Sequence, residues 1–231
     1  PCIMSTIVDL ETSTLRHLNA TLHAADSGKF SVVNPRGAHA VAAGINTPIA
    51  VTVEGSVGYY CAGMHQAGRV LVQGNASTGL AENIMSGEVR ITGSATMSAG
   101  ATGHGGLLVI EGNSGARCGI SMKGVDIVVG GNVGHMSAFM AQAGSLVVLG
   151  DAADDLGDSI YEANVFVRGD VASLGADCIE KEMRPDHVAT LADLLSAAVM
   201  DADPADFRRF GSARQLYNFH VDDIDAEVAA R

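Results

Sequence analysis

Seven glycines recur at every nineteenth position without a slip: Gly55, Gly74, Gly93, Gly112, Gly131, Gly150 and Gly169. A fixed period of this length marks a stack of equivalent units, each completed by its neighbours. Four residues before each glycine stand Val51, Val70, Val89, Leu108, Ile127, Leu146 and Val165. Two before it stand Val53, Val72, Ile91, Ile110, Val129, Val148 and Val167. Both columns are wholly aliphatic and one position separates them, which puts them on one face of a short strand. The position just before the glycine is mostly polar (Glu54, Gln73, Thr92, Glu111, Arg168) and belongs to the solvent side.

The remaining columns describe how the chain turns. Directly after the glycine come Ser56, Asn75, Ser94, Asn113, Asn132, Asp151 and Asp170, short polar side chains that satisfy backbone groups at bends and can stack as a ladder. Seven residues after it only small groups occur: Ala62, Ala81, Gly100, Gly119, Ala138, Gly157 and Ala176. Thirteen after it, Gly68, Gly87, Gly106 and Gly144 mark a second corner, where other turns carry Val125 and Ala163. One strand per turn with fixed corners describes an all-β fold, a parallel β-helix of about seven such turns, right-handed by the crossover rule. With strands about 4.7–4.9 Å apart, seven turns make a rod of roughly 33 Å.

The ends of such a rod expose strand edges that need covering. At the front, VVNPRG ends at Gly37, one position short of a full repeat before Gly55, with Pro35 where an aliphatic residue would stand. This reads as a terminal half-turn, because proline is tolerated at a sheet edge. Upstream, Thr12 to Ala24 with Leu15, Leu18 and Leu22 reads as a short amphipathic helix. The repeat fades after Cys178. Beyond Pro185, the spacing of Val188, Leu191, Leu194, Leu195 and Val199 predicts a helix, and Asp203-Pro204 predicts the start of another running through Phe207 and Phe210. These helices read as a lid on the far end or as a docking arm for a partner. The division expected is a leader and cap over 1–48, the β-helix over 49–182 and a helical extension over 183–231.

Composition narrows the class of function. The formal charge of −12, from 26 acidic against 14 basic residues, repels phosphate backbones and anionic membranes. No basic stripe supports a nucleic-acid reading, and the longest apolar runs, such as Leu107 to Ile110, are too short to span a bilayer. The first residues, PCIMSTIVDL, lack the layout of a signal peptide. Cys2, Cys61, Cys118 and Cys178 have no CxxC spacing and read as cytoplasmic thiols.

The residue types able to carry chemistry are present but scattered. Cys2 follows Pro1, so it has no free amine beside it to act as base. Cys61 and Cys118 share a column three turns apart, about 14 Å at the strand spacing, beyond a disulfide or a shared metal. With Cys178 they read as small buried hydrophobes. His65, His104 and His135 lie in three different columns, and none pairs at ligand spacing. His39, in NPRGAHAVAAG, lies near the front cap and could face a partner. Asp151, Asp154, Asp155 and Asp158 cluster in one turn, whereas calcium solenoids repeat their acids through successive turns. GSVGYYCAG and GNSGARCG have no helix opening behind them, so they are not phosphate loops. No catalytic residue, cofactor ligand or metal ligand is predicted; the residues singled out are the seven structural turn glycines.

The turn pattern GSVGYYCAGMHQAGRVLVQGNASTGLAENIMSGEVRITG resembles the GXGXG family over about residues 32–180. This is the right-handed β-helix found as the C-terminal domain of glutamate synthase, as one chain of formylmethanofuran dehydrogenase, and as separate chains in glutamate-synthase-like complexes. By size, short leader and tail, the resemblance is greatest to the stand-alone β-helix subunits of N-methylglutamate synthases. It implies a non-catalytic scaffold linking a class II glutamine amidotransferase-like subunit to a glutamate-synthase-like subunit that holds FMN and an iron–sulfur cluster. The complex would convert methylamine and L-glutamate to N-methyl-L-glutamate and ammonia, a step of one-carbon metabolism in methylotrophs. The alternatives are the corresponding chain of another glutamine-dependent complex of this kind, or the β-helix chain of formylmethanofuran dehydrogenase.

Overall fold

The structure, a computed structural model, describes residues 5–216 and 219–220. In chain order the elements are β1 (Thr6–Asp9), α1 (Leu15–His23), β2 (Lys29–Val33), β3 (Ala50–Glu54), β4 (Arg69–Val72), β5 (Glu88–Ile91), β6 (Leu107–Ile110), β7 (Lys123–Val129), β8 (Ala143–Val148), β9 (Asn164–Val167), β10 (Cys178–Lys181), α2 (Pro185–Ala197) and β11 (Arg208–Ser212). Strands β1 to β9 run parallel, each against the next, and from β3 onward partners lie one full repeat apart, as Val53 opposite Val72 and Ile110 opposite Val129. The fold is therefore a parallel β-solenoid. All fourteen inward aliphatic residues are at most 1% exposed, and they form the spine of the core. Each contributes about 1.5–3 kcal/mol by burial.

The first corner joins the glycine column and the polar column into one device. Each polar side chain accepts a hydrogen bond from the backbone of its column mate one turn on: Asn75 N to Ser56 Oγ (3.0 Å), Ser94 N to Asn75 Oδ1 (2.8 Å), Asn113 N to Ser94 Oγ (3.0 Å), Asn132 N to Asn113 Oδ1 (2.8 Å), Asp151 N to Asn132 Oδ1 (2.8 Å) and Asp170 N to Asp151 Oδ1 (2.9 Å). The accepting oxygen fills the space a Cβ would need on the next glycine. A Cβ on Gly112 would lie 2.5 Å from Ser94 Oγ and 2.8 Å from the Gly93 carbonyl oxygen. Close approach between turns, and not left-handed backbone, therefore requires glycine in this column; only Gly55 of the seven has positive φ.

The opposite corner is the reverse case. Five, seven and nine positions after each glycine of the first six turns, φ lies between +52° and +76°, at positions such as Tyr60, Ala62 and Met64 or Met136, Ala138 and Met140. A left-handed conformation costs a non-glycine residue about 1–2 kcal/mol. Bonds between turns offset that cost, among them Ala81 N to Cys61 O (2.8 Å) and Ala138 N to Cys118 O (2.7 Å). The middle position points inward, and Ala62, Ala81 and Ala138 are fully buried, which explains the small-residue column. At the second glycine corner the fourth turn differs: Gly124, with φ +136°, takes the corner one residue early, and the register of β7 on β8 shifts between Lys123 and Asp126. Val125 is thereby freed to enter the core.

Both ends correct the expectations from sequence. At the front, β2 pairs with β3 at a spacing slightly longer than the repeat, Phe30 opposite Val51 and Val32 opposite Val53. The aliphatic columns thus continue through Phe30 and Val32. Pro35 lies past the strand, against Gly55, and Gly37 is not the glycine-column equivalent. Helix α1 forms as predicted, capped by the Thr14 hydroxyl, with Leu18 and Leu22 fully buried over the front of the core.

At the rear, α2 is neither a lid on the open end nor a free arm. It lies on the outer face of the sheet, where Leu191 and Leu195 pack in one cluster with Val109, Val128, Val147 and Phe166. Val188 and Val199, expected on its apolar face, are 38% and 82% exposed. The second helix does not form. Asp203 caps a single 3-10 turn, Pro204–Asp206, and the chain then extends as β11, antiparallel on β9 and flanked by β10. The unpaired edge of β9 wins over local helix signals, because it offers a full set of backbone partners. Phe207 joins the outer cluster and Phe210 the inner core. A short antiparallel pair, Gln215–Leu216 with Phe219–His220, follows.

Candidate functional site

The residues that could carry chemistry are dispersed through the solenoid. Cys2 lies outside the described residues. Cys61, Cys118 and Cys178 are buried in the core, and burial pushes their thiols up to about 12, 11 and 11. They are therefore protonated at neutral pH, when an iron–sulfur cluster would need thiolates from neighbouring positions. Cysteines at these positions do not fit such a cluster.

Two of the histidines singled out, His65 and His39, bond the backbone. His65 is fully buried, and its Nε2 donates to the Gly68 carbonyl at 3.2 Å; burial holds its pKa below the usual imidazole value, so it stays neutral. His39 stacks on Tyr59, ring centroids 4.5 Å apart, and its Nδ1 accepts from Tyr59 N at 2.9 Å. His104 is exposed, and His135 lies 3.5 Å from Asp155.

The acidic turn is likewise shared among separate structural tasks. Asp151 belongs to the ladder, Asp154 accepts from the Ser173 hydroxyl, and Asp158 accepts from Ser159 and from Ala176 N. Among the described residues no group of three or more His, Cys, Asp or Glu could hold a metal ion. No helix among them is long and apolar enough to cross a membrane.

What the structure offers instead is surface. The left-handed corner and the residues flanking it project side chains outward, and Tyr59, Tyr60, Met64, Met85, Met97 and Met140 are between 45% and 55% exposed there. Aromatic residues and methionine are enriched where proteins bind one another. Sequence reasoning singles out only the small inward column here. The signal it passes over is the Met and Tyr content two to four positions to either side of that column.

A rod of this register, stacked on a polar ladder, is a glutamate-synthase-like β-helix. No family model matches the chain. Protein GlxC of Rhizobium meliloti (strain 1021) is 62% identical to it over 225 residues, 95% of this chain and 99% of that protein. The chain belongs to the GlxC family.

Proposed function

We propose that this chain is the assembly subunit of a glutamate-synthase-like complex, foremost an N-methylglutamate synthase working in the cytoplasm. In this reading it holds a class II glutamine amidotransferase-like subunit in register with an FMN- and iron–sulfur-binding subunit, and it carries out no step itself. The observation that supports the reading is the rod: seven turns locked by one continuous ladder, with the thiols of Cys61, Cys118 and Cys178 buried in its core. A solenoid so fixed offers a long surface of constant geometry, suited to positioning two larger bodies. Its net charge of −12 would meet basic patches on the partners and tune their association.

The test is purification of the chain alone and together with amidotransferase-like and flavoprotein subunits. The isolated chain is expected to be colourless and free of iron, and to elute with both partners when combined. Flavin or cluster absorbance in the isolated chain would overturn the reading.

A further inference from the structure

Turn five, residues 131–149, contains no Asp, Glu, Lys or Arg, although the chain as a whole carries a charge of −12. On its left-handed corner Met140 is 48% exposed, with Met136 beside it. The turns on either side carry opposite charge on the same corner. Turn four presents Arg117 on that corner and Lys123 further along, at the start of β7; both are exposed, and neither forms an ion pair with a carboxylate among the described residues. Turn six presents Asp154 and Asp155, the latter 3.5 Å from His135 of turn five.

Arg117, Met136 and Asp155 occupy one column at consecutive turns, with φ of +59°, +56° and +60°. Successive turns are about 5 Å apart, so the basic and acidic turns flank the uncharged one at equal distances. That column is self-complementary under a two-fold axis through Met136, which sets Arg117 of each copy opposite Asp155 of the other.

We propose that this face is a self-association surface: two copies pair antiparallel about a two-fold axis through turn five, so that the basic turn four of each lies on the acidic turn six of the other. The methionines form the dry centre, and the charged turns form the rim. The net charge of −12 opposes indiscriminate pairing of two copies, and this turn lets them approach without like-charge opposition, with opposite charges on either side of it. The inference does not depend on which complex the chain serves.

The experiment measures the mass of the full chain by sedimentation across a concentration series at low and high salt. A monomer–dimer equilibrium is expected, with affinity falling as salt rises. Two reversals test the charge pattern: Arg117→Asp with Lys123→Asp, and Asp154→Lys with Asp155→Lys. Each alone should weaken self-association by about tenfold or more, since both rims become like-charged. Mixed in equal amounts, the two variants should form a heterodimer, because their rims are then opposite. Gln73→Asp, away from this corner, should change nothing. Circular dichroism establishes that each variant is folded. A wild-type chain that stays monomeric at all concentrations, reversals that leave the dimer intact, or folded reversals that fail to pair when mixed would each overturn the proposal.

Discussion

The outward column of the sheet reads Thr52, Leu71 and Arg90 over β3 to β5, all partly exposed, and Val109, Val128, Val147 and Phe166 over β6 to β9, all fully buried. The inward columns do not change between these halves. One repeat therefore builds two different structures on its outer side: a single-layered front half that meets solvent and a rear half roofed by α2. Arg90 stands at the boundary, where its Nη2 donates to the Ala198 carbonyl at the end of α2 (2.9 Å) and its Nη1 reaches Glu111 (3.3 Å). The difference shows that the repeat specifies the rod, while the residues between its inward positions specify what may lie on it. Alternation along a strand marks one face as solvated; its loss marks both as buried.

The largest effect is expected where the halves are alike. Gly112→Val would drive a β-branched side chain into Ser94 Oγ and the Gly93 backbone, and a loss above about 4 kcal/mol, or failure to fold, is expected in thermal or denaturant unfolding. A mild effect would mean that the ladder is not what holds the turns together, in either half. Next comes the difference itself. Phe166→Ala empties a fully buried site beneath α2 and should cost about 3–5 kcal/mol. Leu71→Ala, in the same column of the open half, should cost under about 1 kcal/mol. Equal shifts in Tm would erase the distinction between roofed and open faces. The smallest effect sharpens the roof's edge: Val199, 82% exposed just past α2, has φ +56°, which a β-branched residue adopts at a cost. Val199→Gly should raise stability by about 1 kcal/mol, measured as an increase in Tm.

The rod is legible in the sequence because its constraints repeat. Seven glycines, fourteen aliphatic positions and the polar ladder each state the same geometry seven times, and a pattern stated seven times survives local exceptions such as Val125. The ends are legible only in part. Helix α1 carries its own cap and spacing, so its sequence suffices. The tail's fate depends on an edge and a face made by distant turns: Phe210 enters the core because β9 offers an open edge, and Leu191 finds Val128 because three outward valines stand in line. Those valines are visible in LLVI, IVV and LVV as strands without alternation. The triple left-handed corner leaves almost no local trace, since Tyr, Met, Ser, Arg and Asp hold conformations for which glycine is the usual choice.

For the candidate site, the structure buries Cys61, Cys118 and Cys178 in the core and places His39, His65, His104 and His135 in separate surroundings. The exposed Tyr and Met side chains of the left-handed side line up only when the columns are wound into turns.

The most direct test of the scaffold account is methylamine-dependent formation of N-methylglutamate by the amidotransferase-like and flavoprotein subunits, measured with and without this chain. The account predicts that the two subunits retain their flavin and cluster but turn over only when the chain joins them in one complex. Full activity from the two subunits alone would contradict it.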